Sequence, residues 1–467
     1  MDSGSATGSR WVLGLTAAAS FMVALDALVI TTALTTIRSD IGASVAALEW
    51  TVNAYLLSFG VLIVTASTLG DRFGRRRLFV AGVGLFSVAS AACALAPTVG
   101  WLIAARAVQG VGEALVLPLG MAILMAAIPD DRRARALGLF SGVTGLAVLS
   151  GPVVGGAIVE GLDWRWIFWL NVPLGLVLIP LSLRWLAESH GRRSEVDVGK
   201  IVVLTVAVLG LMWGLVRGNS AGWTTGEIVG AFAVGLLSLA AFIGWERRTA
   251  TPMLPLAWFR SGRFAWGNVA GFFLYASLFG TLFFLAQFMQ VVMGYGPLGA
   301  GLRLLSWTAT LFVTAPIAGA LVSQTGERPL VMLGLTGQAA GMAWIARVAE
   351  PGGSYSALVP PLMLAGFGVS MAMPATQSAV LGAMSASDVG TASGTFNMLR
   401  QLGAAFGIAV LVVEFSRVGG YESVSAFSDG FSGAIGLSAA LSVAGAVAGL
   451  GLPRRISSAT VASQARA

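Results

Sequence analysis

Apolar runs long enough to cross a lipid bilayer follow one another along almost the whole chain. A helix needs about 20 residues to cross a hydrocarbon core of about 30 Å, and an isolated strand would leave its backbone groups unpaired in lipid. We count fourteen such runs, at residues 11–34, 47–69, 78–96, 100–127, 135–159, 165–186, 199–217, 226–245, 265–292, 301–323, 329–348, 355–382, 393–415 and 430–452. The sequence therefore predicts an all-α membrane protein with fourteen transmembrane helices.

The residue types that are scarce in the chain exclude several kinds of chemistry. Charged residues make up 10% of the chain, against about 25% in an ordinary soluble domain. One Cys, Cys93, and one His, His190, cannot form a disulfide framework or a Cys/His metal site. Lys200 is the only lysine and lies in no phosphate-binding loop. We therefore expect no metal and no cofactor, no enzymatic site, and energy drawn from an ion gradient or a partner ATPase.

The basic residues predict how the chain crosses the membrane. The net charge of +7 comes mostly from arginines in short clusters between apolar runs, which indicates topology rather than a nucleic-acid partner. With the N-terminus inside, about 20 basic residues fall on the cytoplasmic side and about six outside. Only Arg10 precedes the first run, which is too long for the core of a cleaved signal and is expected to be retained. We expect a multi-pass protein of the inner or plasma membrane with both termini in the cytoplasm.

Two loops of similar sequence divide the chain into repeated halves. The loop after the second run, Ser67 to Arg77, and the loop after the tenth, Gly319 to Pro329, both place a Gly and then a basic residue at the start of the next helix. This is expected if two six-helix halves share one plan, with the seventh and eighth runs as an insertion. The predicted domains are an N-terminal six-helix bundle, an inserted helix pair with cytoplasmic flanks, a C-terminal six-helix bundle and a disordered cytoplasmic tail, at residues 1–190, 191–260, 261–455 and 456–467.

The loop Gly70-Asp71-Arg72-Phe73-Gly74-Arg75-Arg76-Arg77 resembles the signature loop of the major facilitator superfamily. Glycines permit a tight turn between helices, the Asp can pair with a neighbouring helix end, and arginines anchor to anionic headgroups. The resemblance implies a gating loop at the inward side of the bundle, formed by Gly70, Asp71, Arg72, Gly74 and Arg75. The alternative is that the arginines only fix the topology.

The fifth run resembles the motif that marks the exporting, antiporter members of that superfamily. Its pattern is Gly142-x8-Gly151-Pro152-x3-Gly156. Glycines at such spacing let a neighbouring backbone approach closely, and a proline kinks the helix axis. A generic close-packed helix crossing is the alternative, since the chain is rich in Gly throughout.

Three further stretches resemble the fourteen-helix drug:proton antiporter branch of the superfamily, and specifically exporters of the quaternary-ammonium-compound resistance type. They are Leu25 to Leu34, Trp164 to Gly175 and Asn397 to Gly403. The first is a partial match, with Thr32 where the branch usually has Asn. With the inserted pair, the resemblance covers essentially the whole chain and implies the major facilitator fold.

Charged residues within the apolar runs are the best candidates for function, because each costs several kcal/mol unless it faces water or a partner. Arg106, Gln109 and Glu113 share one helical face of the fourth run. At 1.5 Å per residue, Asp26 and Arg106 lie at similar height, and Glu113 about 10 Å deeper. The resemblance links an arginine in this pattern to proton handling. We therefore expect Asp26, Arg106 and Glu113 to couple transport to protons, with a purely structural ion pair as the alternative.

The substrate surface is less well defined by the sequence. The ninth run is rich in Phe and carries Gln287, and aromatic side chains suit a bulky, apolar and cationic ligand. Gln109, Phe283 and Gln287 are the candidate substrate-binding residues, although core packing and lipid contact are the commoner roles of aromatics. Arg400 is expected to tie neighbouring helices together rather than to touch substrate.

Together these features predict a proton-coupled secondary active exporter of amphipathic or cationic small molecules, drugs or antibiotics, working by alternating access. The alternatives are a dedicated exporter of one endogenous metabolite or lipid, and a receptor or scaffold that does not transport. The expected partners are a small-molecule substrate, protons and the lipid bilayer, and the chain is expected to act as a monomer.

Overall fold

A computed structural model of the chain describes residues 3–128, 130–190, 197–249, 252, 254–384 and 389–454. Over these residues the chain forms α-helices and a short 3₁₀ turn, and no strand. The predicted tail, 456–467, lies outside the described residues. The helices are α1 (Ser3–Ile41), α2 (Val45–Phe73), α3 (Arg75–Ala94), α4 (Val99–Ala127), α5 (Asp130–Gly161), α6 (Trp166–Trp169), α7 (Asn171–Trp185), α8 (Val198–Ala221), α9 (Gly226–Arg248), α10 (Gly262–Val291), α11 (Pro297–Thr308), α12 (Thr310–Thr325), α13 (Glu327–Val348), α14 (Tyr355–Leu381), α15 (Val389–Val418) and α16 (Val424–Leu450), with the 3₁₀ turn at Leu256–Arg260.

The helices match the predicted apolar runs one for one when two short pairs are each counted as one membrane crossing. Thirteen crossings within the described residues are long and apolar enough to span a bilayer, with α6 and α7 forming one and α11 and α12 another. The remaining helix, α5, has 32 residues, which is ample for a span. The all-α prediction is confirmed.

Two six-helix bundles pack by the same plan. In the first, α1 contacts α4, α5 and α7, while α3 contacts α4 and α7. In the second, α10 contacts α14, α15 and α16, while α13 contacts α14 and α16. The two bundles meet along two seams, α5 with α11 and α2 with α15. When the helices of the two bundles are matched in chain order, α2 corresponds to the pair α11 and α12, and α5 corresponds to α15. Each seam therefore maps onto the other. This is the internal pseudo-symmetry of a repeated transporter fold.

The inserted helices α8 and α9 form a hairpin on the outside of one seam. Gly210 and Gly235 let the two backbones touch, since an added Cβ on Gly210 would lie 2.9 Å from the Gly235 nitrogen. Helix α8 contacts both α2 and α15, and Trp213 packs against Trp50 of α2 with 5.6 Å between ring centroids. The hairpin therefore rests on both bundles at the α2/α15 seam.

The ends of the helices define two faces of the molecule. We call the face at the start of α1 and the α2–α3 turn the terminal face, and the one at the end of α1 the far face. At the far face, Thr35 donates to Oε1 of Gln290 (2.5 Å), and the Arg38 guanidinium lies 3.9 Å from the ring centre of Tyr421. Leu298 N also donates to Glu160 (2.9 Å). These contacts join the two bundles, so the far face is closed.

Several predicted helix boundaries differ from the structure by a few residues, and two of the differences have identifiable reasons. The first helix continues past residue 34 to Ile41, because the polar residues there contact other elements, as Asp40 does in accepting from Trp164 Nε1 (2.9 Å). The span predicted at 165–186 breaks at Leu170 into α6 and α7. Pro173 accounts for the break, since it has no N–H and its ring crowds the carbonyl four residues earlier.

Candidate functional site

The site is built on α4, which carries a stripe of polar side chains through the middle of the first bundle. The helix begins at an N-cap, where the Thr98 hydroxyl accepts from Trp101 N (3.3 Å). Two glycines bring its backbone close to neighbours: an added Cβ on Gly110 would lie 2.4 Å from the Tyr55 carbonyl oxygen, and one on Gly112 would lie 2.7 Å from the Phe86 nitrogen. The close approach places the α4 polar stripe within reach of α1, α2 and α3.

Asp26 and Arg106 form a buried ion pair between α1 and α4. Nη1 of Arg106 lies 2.5 Å from Oδ2 of Asp26, and the side chains are 0% and 1% exposed. Arg106 also donates from Nε to the Thr51 carbonyl (3.2 Å), and its guanidinium lies 4.0 Å from the ring centre of Tyr55. A buried charge pair is stable only with such added contacts, so the arginine is held on several sides.

A ring of amides and hydroxyls completes the shell around Asp26. Gln109 donates to Oδ1 of Asp26 (2.9 Å) and to Ser90 Oγ (2.8 Å). Asn171, near the start of α7, donates to the same Oδ1 (2.7 Å). The carboxylate thus accepts hydrogen bonds from three donors on two helices.

Glu113 lies two turns after Arg106 on α4, and its carboxyl group has fewer hydrogen-bond partners than that of Asp26. The residue is 3% exposed, and its Oε2 has no hydrogen-bond partner among the described atoms. It hydrogen-bonds with the Tyr55 side chain, and it interacts electrostatically with Asp26, with Arg400 of the second bundle and with Arg106. Glu113 is therefore a buried carboxyl in the middle of the protein with no ion pair of its own within 4 Å among the described residues.

The predicted antiporter motif forms the seam between α5 and its neighbours. An added Cβ on Gly151 would lie 2.7 Å from Leu28 Cβ, and one on Gly156 would lie 2.4 Å from the Pro297 carbonyl oxygen. The Pro152 carbonyl oxygen would in turn lie 2.2 Å from an added Cβ on Gly301 of α11. Gly142 has nothing within 4 Å of such a Cβ. Three of the four motif residues thus build a close contact, one that includes the junction between the two bundles.

The predicted gating loop is a tight turn at the terminal face, fastened to the end of the first bundle. Asp71 accepts from Nε of Arg75 across the turn (2.7 Å), and Gly74 has the positive φ of 111° that favours glycine. Arg72 is exposed. Glu188, which the sequence analysis did not single out, accepts from Arg76 N (2.9 Å) and so caps α3.

Near the end of α2, Gly70 lies against α4. A Cβ added to Gly70 would lie 2.1 Å from Leu119 Cδ2. The contact is with the end of a side chain, which can move. A side chain added at Gly70 would therefore displace the Leu119 side chain before it parted α2 from α4.

The three candidate substrate-binding residues are all buried in this state. Gln109 is 0% exposed, and its amide binds the Asp26 cluster. Phe283 packs edge-on against Phe284, and Gln287 accepts from the Tyr421 hydroxyl near the far face. A role in substrate binding stays a prediction for each of them.

Sequence reasoning missed Asn171 and Ser90 and gave Arg400 only a structural role. Asn171 stood within one of the stretches that carry the resemblance, and its polar side chain in an apolar run was the signal available. Arg400 lies below the middle of α15, with its guanidinium 5.1 Å from the ring centre of Tyr275. The structure thus places Arg400 against another helix of its own bundle, α10.

Comparison with known sequences gives the family and several exporters as relatives. The sequence profile described as Major Facilitator Superfamily matches residues 16–408. The tetracenomycin C resistance and export protein of Streptomyces glaucescens is 34% identical over 401 residues, 85% of this chain and 74% of that protein. The multidrug resistance protein Stp of Mycobacterium tuberculosis is 32% identical over 393 residues (84% and 73%), and the cephamycin export protein of Amycolatopsis lactamdurans is 33% identical over 430 residues (90% and 88%).

Solved structures show the same fold at low sequence identity. A bacterial homologue of the human lysosomal transporter Spinster, in an inward-facing and unoccupied conformation, superposes with a TM-score of 0.67 at 16% identity, covering 97% of this chain and 99% of that one. A POT family transporter in complex with 5-aminolevulinic acid gives 0.68 at 12% identity, covering 93% and 94%. At these identities the likeness concerns the fold alone.

Proposed function

Because this chain belongs to the Major Facilitator Superfamily and is a transporter, we propose that it exports amphipathic small molecules, drugs or antibiotics in exchange for protons. Relatives that are at least 30% identical are named as resistance and export proteins, which supports the direction and the class of substrate. The three stretches that resemble the fourteen-helix drug:proton antiporter branch, and the presence of α8 and α9, support that branch and its quaternary-ammonium type.

The observation that carries proton coupling is the buried cluster on α4. Asp26 is fully bound by Arg106, Gln109 and Asn171, whereas Glu113 keeps an oxygen without a partner. Ionisable groups inside a membrane are rare and costly, and they commonly mark a transport pathway or a proton relay. Glu113 can take up a proton without breaking an existing ion pair, and Asp26 can do so only by releasing Arg106.

Alternating access then couples the two fluxes. The two bundles rock about the seams α5/α11 and α2/α15, and the far face is the closed side here. If substrate and proton exclude one another from the cluster, each access state favours one of them. One proton crossing 100 mV gains about 2.3 kcal/mol, to which a pH gradient adds.

The test is uptake of a panel of cationic dyes and antibiotics into everted membrane vesicles, with and without a protonophore. We expect uptake that is abolished when the proton gradient collapses. Glu113→Gln and Asp26→Asn should lose the gradient dependence, while Glu414→Gln should keep it, because Glu414 pairs with Arg417 at the far end of its own helix (2.7 Å). Uptake that persists with the protonophore would overturn antiport and indicate facilitated diffusion.

A dedicated exporter of one endogenous compound is the second candidate. Its support is that two of the relatives are named for a single antibiotic, tetracenomycin C and cephamycin. The same panel separates the two, since a dedicated exporter transports one chemical class and leaves the others. No uptake of any compound, with the protein present in the membrane, would favour the non-transporting receptor or scaffold.

We further propose a place in the cell membrane with both termini in the cytoplasm, which makes the terminal face cytoplasmic. The support is the distribution of arginines and the thirteen apolar spans. A fluorescent protein fused after the last residue would fold and fluoresce only on the cytoplasmic side, and a periplasmic reporter enzyme at the same position should be inactive. The proton, the substrate and lipid are the proposed partners, and the chain is proposed to act as a monomer.

A further inference from the structure

Arg400 is a charged side chain deep within the membrane-spanning part of α15. It lies about 16 Å from the start of that helix at 1.5 Å per residue, and it is half-buried. Among the described residues it forms no ion pair and donates no hydrogen bond. Its contact is with Tyr275 of α10, whose ring centre lies 5.1 Å from the guanidinium. A charge at this depth is costly unless it faces water or a partner, so this side chain needs either water or a bound anion beside it.

The stripe of α15 that carries Arg400 faces the space between the two bundles. Gly403 packs against α10, since an added Cβ would lie 2.4 Å from the Phe272 carbonyl oxygen, and Gln401 packs against α2, with its Cβ 2.9 Å from one added to Gly60. At about 100° per residue, Arg400 lies about 60° from Gly403 and about 100° from Gln401, in the sector between these two contacts. Helix α10 in turn contacts α1 of the first bundle. The sector is therefore bounded by helices of both bundles.

The same stripe changes character on the two sides of Arg400. Toward the terminal face, Asn397 and Ser393 lie one and two turns earlier, both half-buried, and the Asn397 amide donates to the Ser393 carbonyl (2.8 Å). Toward the far face, Leu411 is fully buried and packs on α10, with Cδ2 2.7 Å from a Cβ added to Gly280. Arg400 thus stands at the inner end of a polar stripe that leads in from the terminal face.

We propose that Arg400 binds an anionic group, such as a carboxylate, on an amphipathic substrate that enters from the terminal face. A guanidinium offers five N–H donors in a planar fork that fits a carboxylate, and at Arg400 none of them donates to a group in the described part of the chain. Aromatic side chains alone would favour a cationic ligand, whereas an unpaired arginine repels one. The inference rests on the proposed export of amphipathic small molecules and narrows their class to those that carry an acidic group.

The test compares two probes that differ only in the acidic group. Rhodamine B is a zwitterion with a free carboxylate, and its methyl ester is a cation. Fluorescence titration of the detergent-purified protein gives both dissociation constants and needs no proton gradient. We expect the acid to bind about tenfold more tightly than the ester, because a hydrogen bond to a charged partner contributes about that much affinity. Equal affinities, or binding of neither probe, overturn the inference.

Variants show whether Arg400 is the source of the preference. Arg400→Gln should raise the dissociation constant of the acid about tenfold and change that of the ester much less, and Arg400→Lys should keep part of the preference. Arg417→Gln is the matched control and should leave the preference intact, because Arg417 pairs with Glu414 at the far end of the same helix (2.7 Å). If Arg400→Gln does not fold, Arg400→Met replaces it with the same expectation. A preference that survives in a neutral variant overturns the inference.

The outcomes for Arg400 and for the proposed antiport are distinguishable. A preference for the acid that is lost in Arg400→Gln supports the inference even if vesicle uptake ignores the protonophore, since binding needs no gradient. Equal binding of acid and ester, with uptake that still collapses with the gradient, overturns the inference and leaves antiport in place.

Discussion

Nη1 of Arg106 lies 2.5 Å from Oδ2 of Asp26, and both side chains are withdrawn from solvent. Removing one partner of a buried pair leaves an uncompensated charge, which costs about 3–5 kcal/mol. We expect Asp26→Asn to lower the thermal unfolding temperature of the detergent-purified protein. The double variant Asp26→Asn with Arg106→Gln should recover most of that loss but not transport. Recovery of transport by the double variant would show that the pair is structural only.

Asn171 is expected to matter for transport although it is not charged. Its amide donates to Asp26 at 2.7 Å, and leaving a buried acceptor short of a donor costs about 1–3 kcal/mol. Asn171→Ala should slow gradient-driven uptake several-fold at unchanged expression. Ser87→Ala is the control, because among the described residues the Ser87 hydroxyl donates to the Val83 carbonyl of its own helix (2.8 Å) and to no other group. Equal effects of the two variants would argue against a specific role.

The glycine seam offers a matched pair of substitutions on one helix. Gly156→Ala would place a Cβ 2.4 Å from the Pro297 backbone oxygen, which cannot move without parting α5 from α11. Gly142→Ala meets nothing within 4 Å. In a chain with Cys93→Ser and the reporter Thr35→Cys, we expect Gly156→Ala to raise labelling by a membrane-impermeant maleimide severalfold. Gly142→Ala should leave labelling unchanged, and no rise with Gly156→Ala would mean that the seam does not hold the far face closed.

The inserted hairpin is fastened by the one lysine of the chain. Lys200 Nζ lies 2.9 Å from Oε1 of Glu246, with the side chains 1% and 0% exposed. We expect Lys200→Met to destabilise the protein by about 3–5 kcal/mol, and Lys200→Met with Glu246→Leu to be close to neutral. Thermal unfolding in detergent measures both. The double variant should also keep gradient-driven uptake, since neither residue touches the α4 cluster.

The turn at the terminal face depends on Glu188 as much as on the residues that carry the resemblance. Glu188→Ala removes the acceptor for Arg76 N (2.9 Å) and Arg77 N (3.2 Å), and loss of such a cap costs about 1 kcal/mol. We expect faster proteolysis at this turn and reduced transport. Arg72→Gln, at an exposed position, should leave the proteolysis rate unchanged, and a similar rate in Glu188→Ala would contradict the capping role.

Much of the fold could be read from the sequence because a bilayer imposes one length and one kind of backbone pairing. The fourteen runs needed only hydropathy, and the inserted pair also needed the two loops of similar sequence. The extension of α1 to Ile41 could not be predicted, because its polar last turns are stabilised by partners more than a hundred residues away, such as Gln290. The break at Leu170 followed from Pro173, a local signal that length arithmetic passes over.

The parts of the candidate site that could be predicted are those that depend on the position of a residue along its own helix. Spacing along α4 and the rise per residue placed Asp26 and Arg106 at one height, and the structure shows them in contact. The roles of Asn171 and Glu188 depend on which helices are neighbours, and the sequence carries no such information. Phe283 and Gln287 were chosen because aromatics suit a ligand, yet here they contact Phe284 and Tyr421.

The hairpin that rests on α2 and α15 makes the two junctions between the bundles unequal. An apolar solute dissolved in the membrane would meet α8 before it could touch the α2/α15 junction. In the described part of the chain, the inserted pair makes no comparable contact with α5 or α11. Of the two junctions between the bundles, the one between α5 and α11 would therefore be the less obstructed entry from the lipid.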